Sequence, residues 1–204
     1  MDDLEARLVD ELRRSHGAHT VVLYGSRARG TATPESDVDV AAFADVATTT
    51  RDARLWQGLY LDAFVHPTAA ATAPDEEQLK LAGGRVLLDE RGLATALLSA
   101  VDALLLRGPP PLADDELQMR RVWARKTAAR ARRGDVEAHY RRHWLLFSLL
   151  EDYFALRRAW YRGPREALDW LRVHEPDTFA AFERALAPSA SLDDLDALVE
   201  LVVG

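Results

Sequence analysis

"LYGSRARGTATPESDVDVAAF" spans Leu23–Phe43, and the reading of the whole chain turns on it. It overlaps a short apolar run, "HTVVLYG" (19–25), whose length and β-branching predict a buried strand ending at glycine. "DVDVAAF" (37–43) predicts a second strand. Strand residues two apart share a face, so Asp37 and Asp39 project together. Two neighbouring carboxylates repel each other unless a cation lies between them, and hard oxygen donors suit Mg²⁺. Between the strands, "SRARG" (26–30) is expected to open a helical turn whose backbone N–H groups, with the Ser26 hydroxyl, face an anion. Gly25 lets the backbone approach a phosphate closely, and Arg27 and Arg29 offer charge-assisted hydrogen bonds. An anion seat and a cation seat on consecutive strands together predict a place for a metal-bound nucleoside triphosphate.

Outward from that stretch, "GLYLDAFV" (58–65) predicts a third strand with Asp62 among the apolar neighbours Leu59, Leu61, Phe64 and Val65. A carboxylate facing a core is costly unless paired. Three carboxylates from two adjacent strands can hold two Mg²⁺, one activating a hydroxyl and one gripping the triphosphate. Leu4, Leu8 and Leu12 repeat at helical spacing, so residues 3–15 read as an amphipathic helix. Residues 68–74 read as a small-residue linker, 74–82 as a short helix, 84–89 as a fourth strand and 91–107 as a helix with a leucine-rich face. "RGPPPLADDE" (107–116) is the clearest boundary, since three prolines cannot continue a helix and the acids after them favour a helix start. Beyond it the pattern predicts helices over 114–133, 135–162, 164–173, 176–186 and 191–203, and no strand. The expected architecture is α+β: a small mixed-sheet domain over 1–108 and an all-helical bundle over 109–204.

Gly25-Ser26-Arg27-Ala28-Arg29-Gly30 followed by Ser36-Asp37-Val38-Asp39 resembles the G-S-x-A-R-G and S-D-x-D hallmark of the nucleotidyltransferase superfamily that includes DNA polymerase β. The form is most similar to the minimal nucleotidyltransferases and to the antibiotic nucleotidyltransferases acting on aminoglycosides and lincosamides. The resemblance implies a catalytic set of Asp37, Asp39 and Asp62, with the third family carboxylate falling on Asp62, the acid inside the next strand. It implies transfer of a nucleoside monophosphate, expected to be AMP, from Mg-ATP or another Mg-NTP to a small-molecule hydroxyl, releasing pyrophosphate. A helical bundle that completes the cleft is also common in such enzymes. The alternatives it leaves are a protein or RNA acceptor of the toxin–antitoxin kind and a non-catalytic nucleotide-binding module.

In the helical half, Arg165 at a helix start is a candidate phosphate contact, while Glu151 and Asp152 are candidate acceptor-side acids beside Tyr153 and Phe154. Each of these has a plain reading too, as a solvated or core-edge residue. A net charge of -7 argues against a general nucleic-acid binder. The absence of cysteine excludes disulfides and thiolate metal sites. The charged N-terminus "MDDLEARLVDELRR" does not read as a signal peptide, and "WLLFSLL" (144–150) is too short to span a bilayer, so a cytoplasmic protein with no membrane partner is expected. A homodimer stays open. Lys80 and Lys126 are the only lysines, a skew from which no function follows at this stage.

Overall fold

A computed structural model describes residues 2–204 of the chain. The chain divides into two compact units, the first ending at Arg107 and the second beginning at Gly108.

The first unit opens with α1 (Asp3–His16). Asp2 caps it by accepting the Glu5 N–H at 2.8 Å while the Glu5 carboxylate accepts the Asp2 N–H, a reciprocal pairing that satisfies two otherwise orphaned donors. After β1 (Thr20–Leu23) comes the one-turn α2 (Gly25–Ala28), followed by β2 (Val38–Ala44). Then β3 (Thr50–Trp56), β4 (Leu59–Pro67), α3 (Thr68–Thr72), a 3₁₀ helix (Glu76–Leu81), β5 (Arg85–Asp89) and α4 (Ala94–Arg107) complete the unit. The sheet runs β3-β4-β2-β1-β5. Its β2 and β4 are parallel, and the other neighbouring pairs are antiparallel.

The sheet buries both faces. Val38, Val40, Ala42 and Ala44 of β2 join Leu61, Ala63 and Val65 of β4 in a cluster with Leu8 and Leu12 of α1. Ala41 and Phe43 belong to a second cluster with Leu81, Leu97 and Val101. Alternation therefore puts Asp39 and Asp62 on the same face as Ala41 and Phe43, the side that α4 and the 3₁₀ helix cover.

The sequence pattern passes from β2 to β4 without a strand between them, whereas the structure places β3 there, as a hairpin with β4. Gln57 and Gly58 turn the chain with φ of 53° and 78°, the two positive values that a twist-matched two-residue hairpin turn requires. "TRDARLW" lacks an apolar face because β3 is the sheet edge, where charge protects against unwanted pairing. Part of the expected linker at 68–74 is likewise ordered, as α3.

The second unit is helical: α5 (Asp114–Ala131), α6 (Val136–Leu156), α7 (Pro164–His174), α8 (Pro176–Leu186) and α9 (Leu192–Val203). Its core joins Ala124 and Ala128 of α5 to Leu145, Leu149 and Tyr153 of α6, with Leu171, Phe182 and Leu198 from the last three helices. α6 stops six residues short of the predicted 162. Arg158 adopts a left-handed φ of 55°, and the Ala159 N–H returns to the Phe154 carbonyl. The neighbouring Arg157 guanidinium donates to the carbonyls of Tyr153, Leu201 and Val202. One arginine thus serves the C-terminal ends of two helices, where cations are favoured. Among the described residues no helix is long and apolar enough to cross a membrane.

Candidate functional site

The site is built on the turn between β1 and β2. Gly25 starts α2 at a φ of 70°, a conformation disfavoured for any residue with a Cβ. A Cβ added there would lie 2.3 Å from Oδ2 of Asp39 and 3.1 Å from its Cγ. Glycine therefore does two things: it takes the left-handed turn, and it leaves room for the Asp39 carboxylate to lie against the turn backbone. Ser26 is buried beneath the turn, and the Ser26 carbonyl accepts the Thr31 N–H at 3.0 Å.

Asp39 is half-buried, and Asp62 stands directly beside it as its register partner in the parallel β2–β4 pair. Asp37 is exposed, just ahead of β2. Both Asp62 oxygens accept from Arg51 of β3, from Nε at 2.7 Å and Nη2 at 2.8 Å. Above these groups, the Lys80 Nζ lies 3.2 Å from the centroid of the Phe64 ring and 5.8 Å from that of Tyr24. Burial lowers the Lys80 ammonium to a pKa of about 8, against the pull of Asp62, Glu77 and Asp39. The Tyr24 phenol is pushed well up, first by burial and then by the negative charges of Asp39 and Asp62.

Sequence reasoning named Gly25, Ser26, Asp37, Asp39 and Asp62, and the structure gathers them at this end of the sheet. Arg27 points elsewhere. Its Nη2 donates to the Ser36 carbonyl at 2.7 Å and its Nε to the Asp37 carbonyl at 3.0 Å. It lines a small hollow with Leu8, Leu23 and Val38, so this guanidinium braces the loop into β2 rather than facing the turn N–H groups. Arg29 is exposed at the end of α2. Arg165, Glu151 and Asp152 lie in the second unit: Arg165 is exposed in the first turn of α7, and Glu151 is half-buried on α6. The Asp152 carboxylate is buried and accepts from Arg120 Nη1 at 2.6 Å. Burial raises its pKa although Arg120 opposes the shift. Asp152 is a buried ion-pair partner and not a pocket-lining acid.

The sequence pattern does not point to Arg51 or Lys80, which the structure places beside Asp62 and Phe64. Arg51 sits on the strand that the pattern did not reveal. Lys80 did carry a signal, since it is the one lysine in the first unit of a chain that otherwise uses arginine.

Among the described residues no three histidines, aspartates or glutamates come together in a ready metal site. The donor chemistry nonetheless suits a hard divalent cation: the carboxylates of Asp39 and Asp62 are strand neighbours, and the space beside Asp39 is one that a Cβ would fill. Arg51 holds Asp62 from an exposed position, its side chain 58% accessible, and a solvent-screened tie of that kind yields readily to a stronger cation.

Residues 5–97 match the family model described as the nucleotidyltransferase domain. No curated protein matches the chain. A solved structure of a nucleotidyltransferase-like protein from Exiguobacterium sibiricum 255-15 aligns with 97% of this chain and 75% of its own, at 13% identity and a TM-score of 0.43.

Proposed function

We propose that the protein transfers AMP from Mg-ATP to a hydroxyl of a small molecule and releases pyrophosphate, a reading supported by the match of residues 5–97 to the nucleotidyltransferase domain. The observation that carries this reading is the pairing of Asp39 with Asp62 on one sheet face, with Asp39 packed against the Gly25 turn.

In this reading the backbone N–H groups of the turn, with Ser26, receive the β- and γ-phosphates, because the start of a helical turn presents unpaired donors. Asp37 and Asp39, joined by Asp62 once it releases Arg51, would hold Mg²⁺, which neutralises phosphate charge when bound. The acceptor oxygen attacks the α-phosphorus and a new P–O bond forms. The bond from the α-phosphorus to the bridging oxygen breaks, and pyrophosphate leaves with that electron pair. Asp62, already beside the reacting face, takes the hydroxyl proton. Arg51 and Lys80 add positive charge where the phosphates gather, and most of the rate enhancement comes from positioning and charge neutralisation.

The test is pyrophosphate release from Mg-ATP with a panel of polyhydroxylated acceptors, aminoglycosides and lincosamides included. Asp39→Asn should lower the rate by on the order of a thousandfold while the fold is kept. Lys80→Met, which preserves bulk over Phe64, should raise the KM for ATP about tenfold, the worth of one charge-assisted bond, with Lys80→Arg recovering part of it. An Asp39→Asn protein that turns over like the wild type would overturn the assignment.

A further inference from the structure

A cavity of about 670 Å³ in the second unit is not used by the proposed reaction. It lies within the size range of small-molecule sites. One wall is the face of α6 that carries His139, Arg142, His143, Leu146 and Leu150, residues three and four apart and therefore stacked along one stripe. From His139 to Leu150 that stripe is about 16 Å long at helical rise. The basic groups occupy its first turn and the leucines follow. Leu146 and Leu150 are buried and form an apolar floor.

Charge makes this cleft unusual for its chain. The protein has 33 acidic residues and a net charge of -7, yet none of the residues lining the cleft is acidic. Arg142 is held in place by donating from Nη2 to the Ala190 carbonyl at 2.7 Å. A guanidinium has five N–H groups, so a fixed Arg142 still has donors to offer a ligand. The opposite end behaves differently. Tyr161 lines it, and burial, followed by the carboxylates of Glu151 and Glu166, pushes its phenol up. Carboxylates thus stand near the Tyr161 end, whereas the other end presents the Arg142 guanidinium, whose charge also acts on Asp194 outside the lining.

We propose that this cleft binds an organic monoanion, with a carboxylate or phosphate head at Arg142, His139 and His143 and an apolar body of roughly ten carbons along Leu146 and Leu150. Binding here is independent of nucleotidyl transfer and needs neither ATP nor metal. It would make the helical unit a receptor for an amphipathic acid, the opposite in charge to a cationic antibiotic.

Calorimetry on the full chain, with decanoate, decyl phosphate and decyltrimethylammonium below their micelle concentrations, tests it. At least one anion should bind in the sub-millimolar range while the ammonium does not, and the better of the two anions identifies the head group. Arg142→Gln should weaken that anion about tenfold or more, as expected for loss of a charge-assisted contact. Arg142 also serves Ala190, so Leu168→Glu, which puts a carboxylate into the cleft wall, is the second variant. It should abolish anion binding while the far-ultraviolet circular dichroism stays that of the wild type, with some fall in melting temperature because Leu168 packs partly against the core. No binding by either anion, equal binding of the ammonium, or binding indifferent to Leu168→Glu would each overturn the proposal. So would a dimer whose formation Leu168→Glu prevents, since the cleft would then be a face for a second copy.

Discussion

At Gly25 two requirements meet at one Cα, and they can be separated. Gly25 and Gly30 both have positive φ, 70° and 72°, so alanine at either carries a left-handed penalty of about 1–2 kcal/mol. A Cβ at Gly30 would meet nothing within 4 Å, whereas one at Gly25 would overlap Asp39. Gly30→Ala should therefore lower the melting temperature and leave turnover nearly intact. Gly25→Ala should cost about a hundredfold in turnover, the usual scale for misplacing a reacting group by an ångström. Equal activities in the two variants would show that the contact with Asp39 has no part in the reaction. The pair of carboxylates at 37 and 39 and the glycine turn were legible in the sequence because they are local: each follows from spacing along one strand or one turn. Arg51, Lys80 and the true orientation of Arg27 were not, because they depend on which strand lies at the edge and on which side of the sheet a loop returns.

Among elements, the clearest contrast lies between β3 and α6. Strand periodicity betrays a strand with one buried face, but β3 is the exposed edge and reads as a charged loop. The long pattern of α6 was visible, and its end was not, because the left-handed Arg158 and the capping by Arg157 involve backbone geometry and the distant α9. The same helix shows how an acid can be mistaken for a functional group. Asp152 looks like a pocket carboxylate beside aromatic residues, yet it is buried against α5 and held by Arg120, which also holds Glu116 at 2.8 Å. Removing one member of a buried pair leaves the other's charge poorly compensated. Asp152→Ala should thus destabilise the helical unit by on the order of 2 kcal/mol, since Arg120 keeps Glu116. The KM values for ATP and acceptor should not change. Thermal unfolding followed by circular dichroism, alongside kinetics, checks this. A raised acceptor KM with an unchanged melting temperature would restore Asp152 to the acceptor side.

For the molecule as a whole, acid stability is set partly by an imidazole at the centre of the sheet. His66 is fully buried between Phe43 and Phe64, with Nδ1 3.1 Å from Thr49 Oγ1 and no partner for Nε2. Burial, then the Lys80 charge, lower its pKa to about 4, with Asp75 opposing. In the unfolded chain the same group protonates near 6.5. Between those values the unfolded state carries the extra proton, so stability is complete above pH 6.5 and falls as pH drops toward 4, by about 3 kcal/mol in total. His19, also buried and lowered by desolvation, adds to that slope. Urea unfolding at pH 7 and pH 4.5 should show the loss, and His66→Leu should bring the two midpoints closer, with His19 keeping part of the gap. An unchanged pH dependence in that variant would assign the slope to other groups.

The division at Arg107 also has a consequence in time. Every strand of the sheet, and each carboxylate and cation of the site built on it, lies before that residue. Domains emerge and fold in order during synthesis at about 5–20 residues per second, so the 97 residues from Gly108 to Gly204 take roughly 5–20 seconds to be joined after the last residue of the first unit. Nothing in the sheet waits for them. On the proposed reading, the nascent chain can close its nucleotide seat while the helical bundle is still being completed.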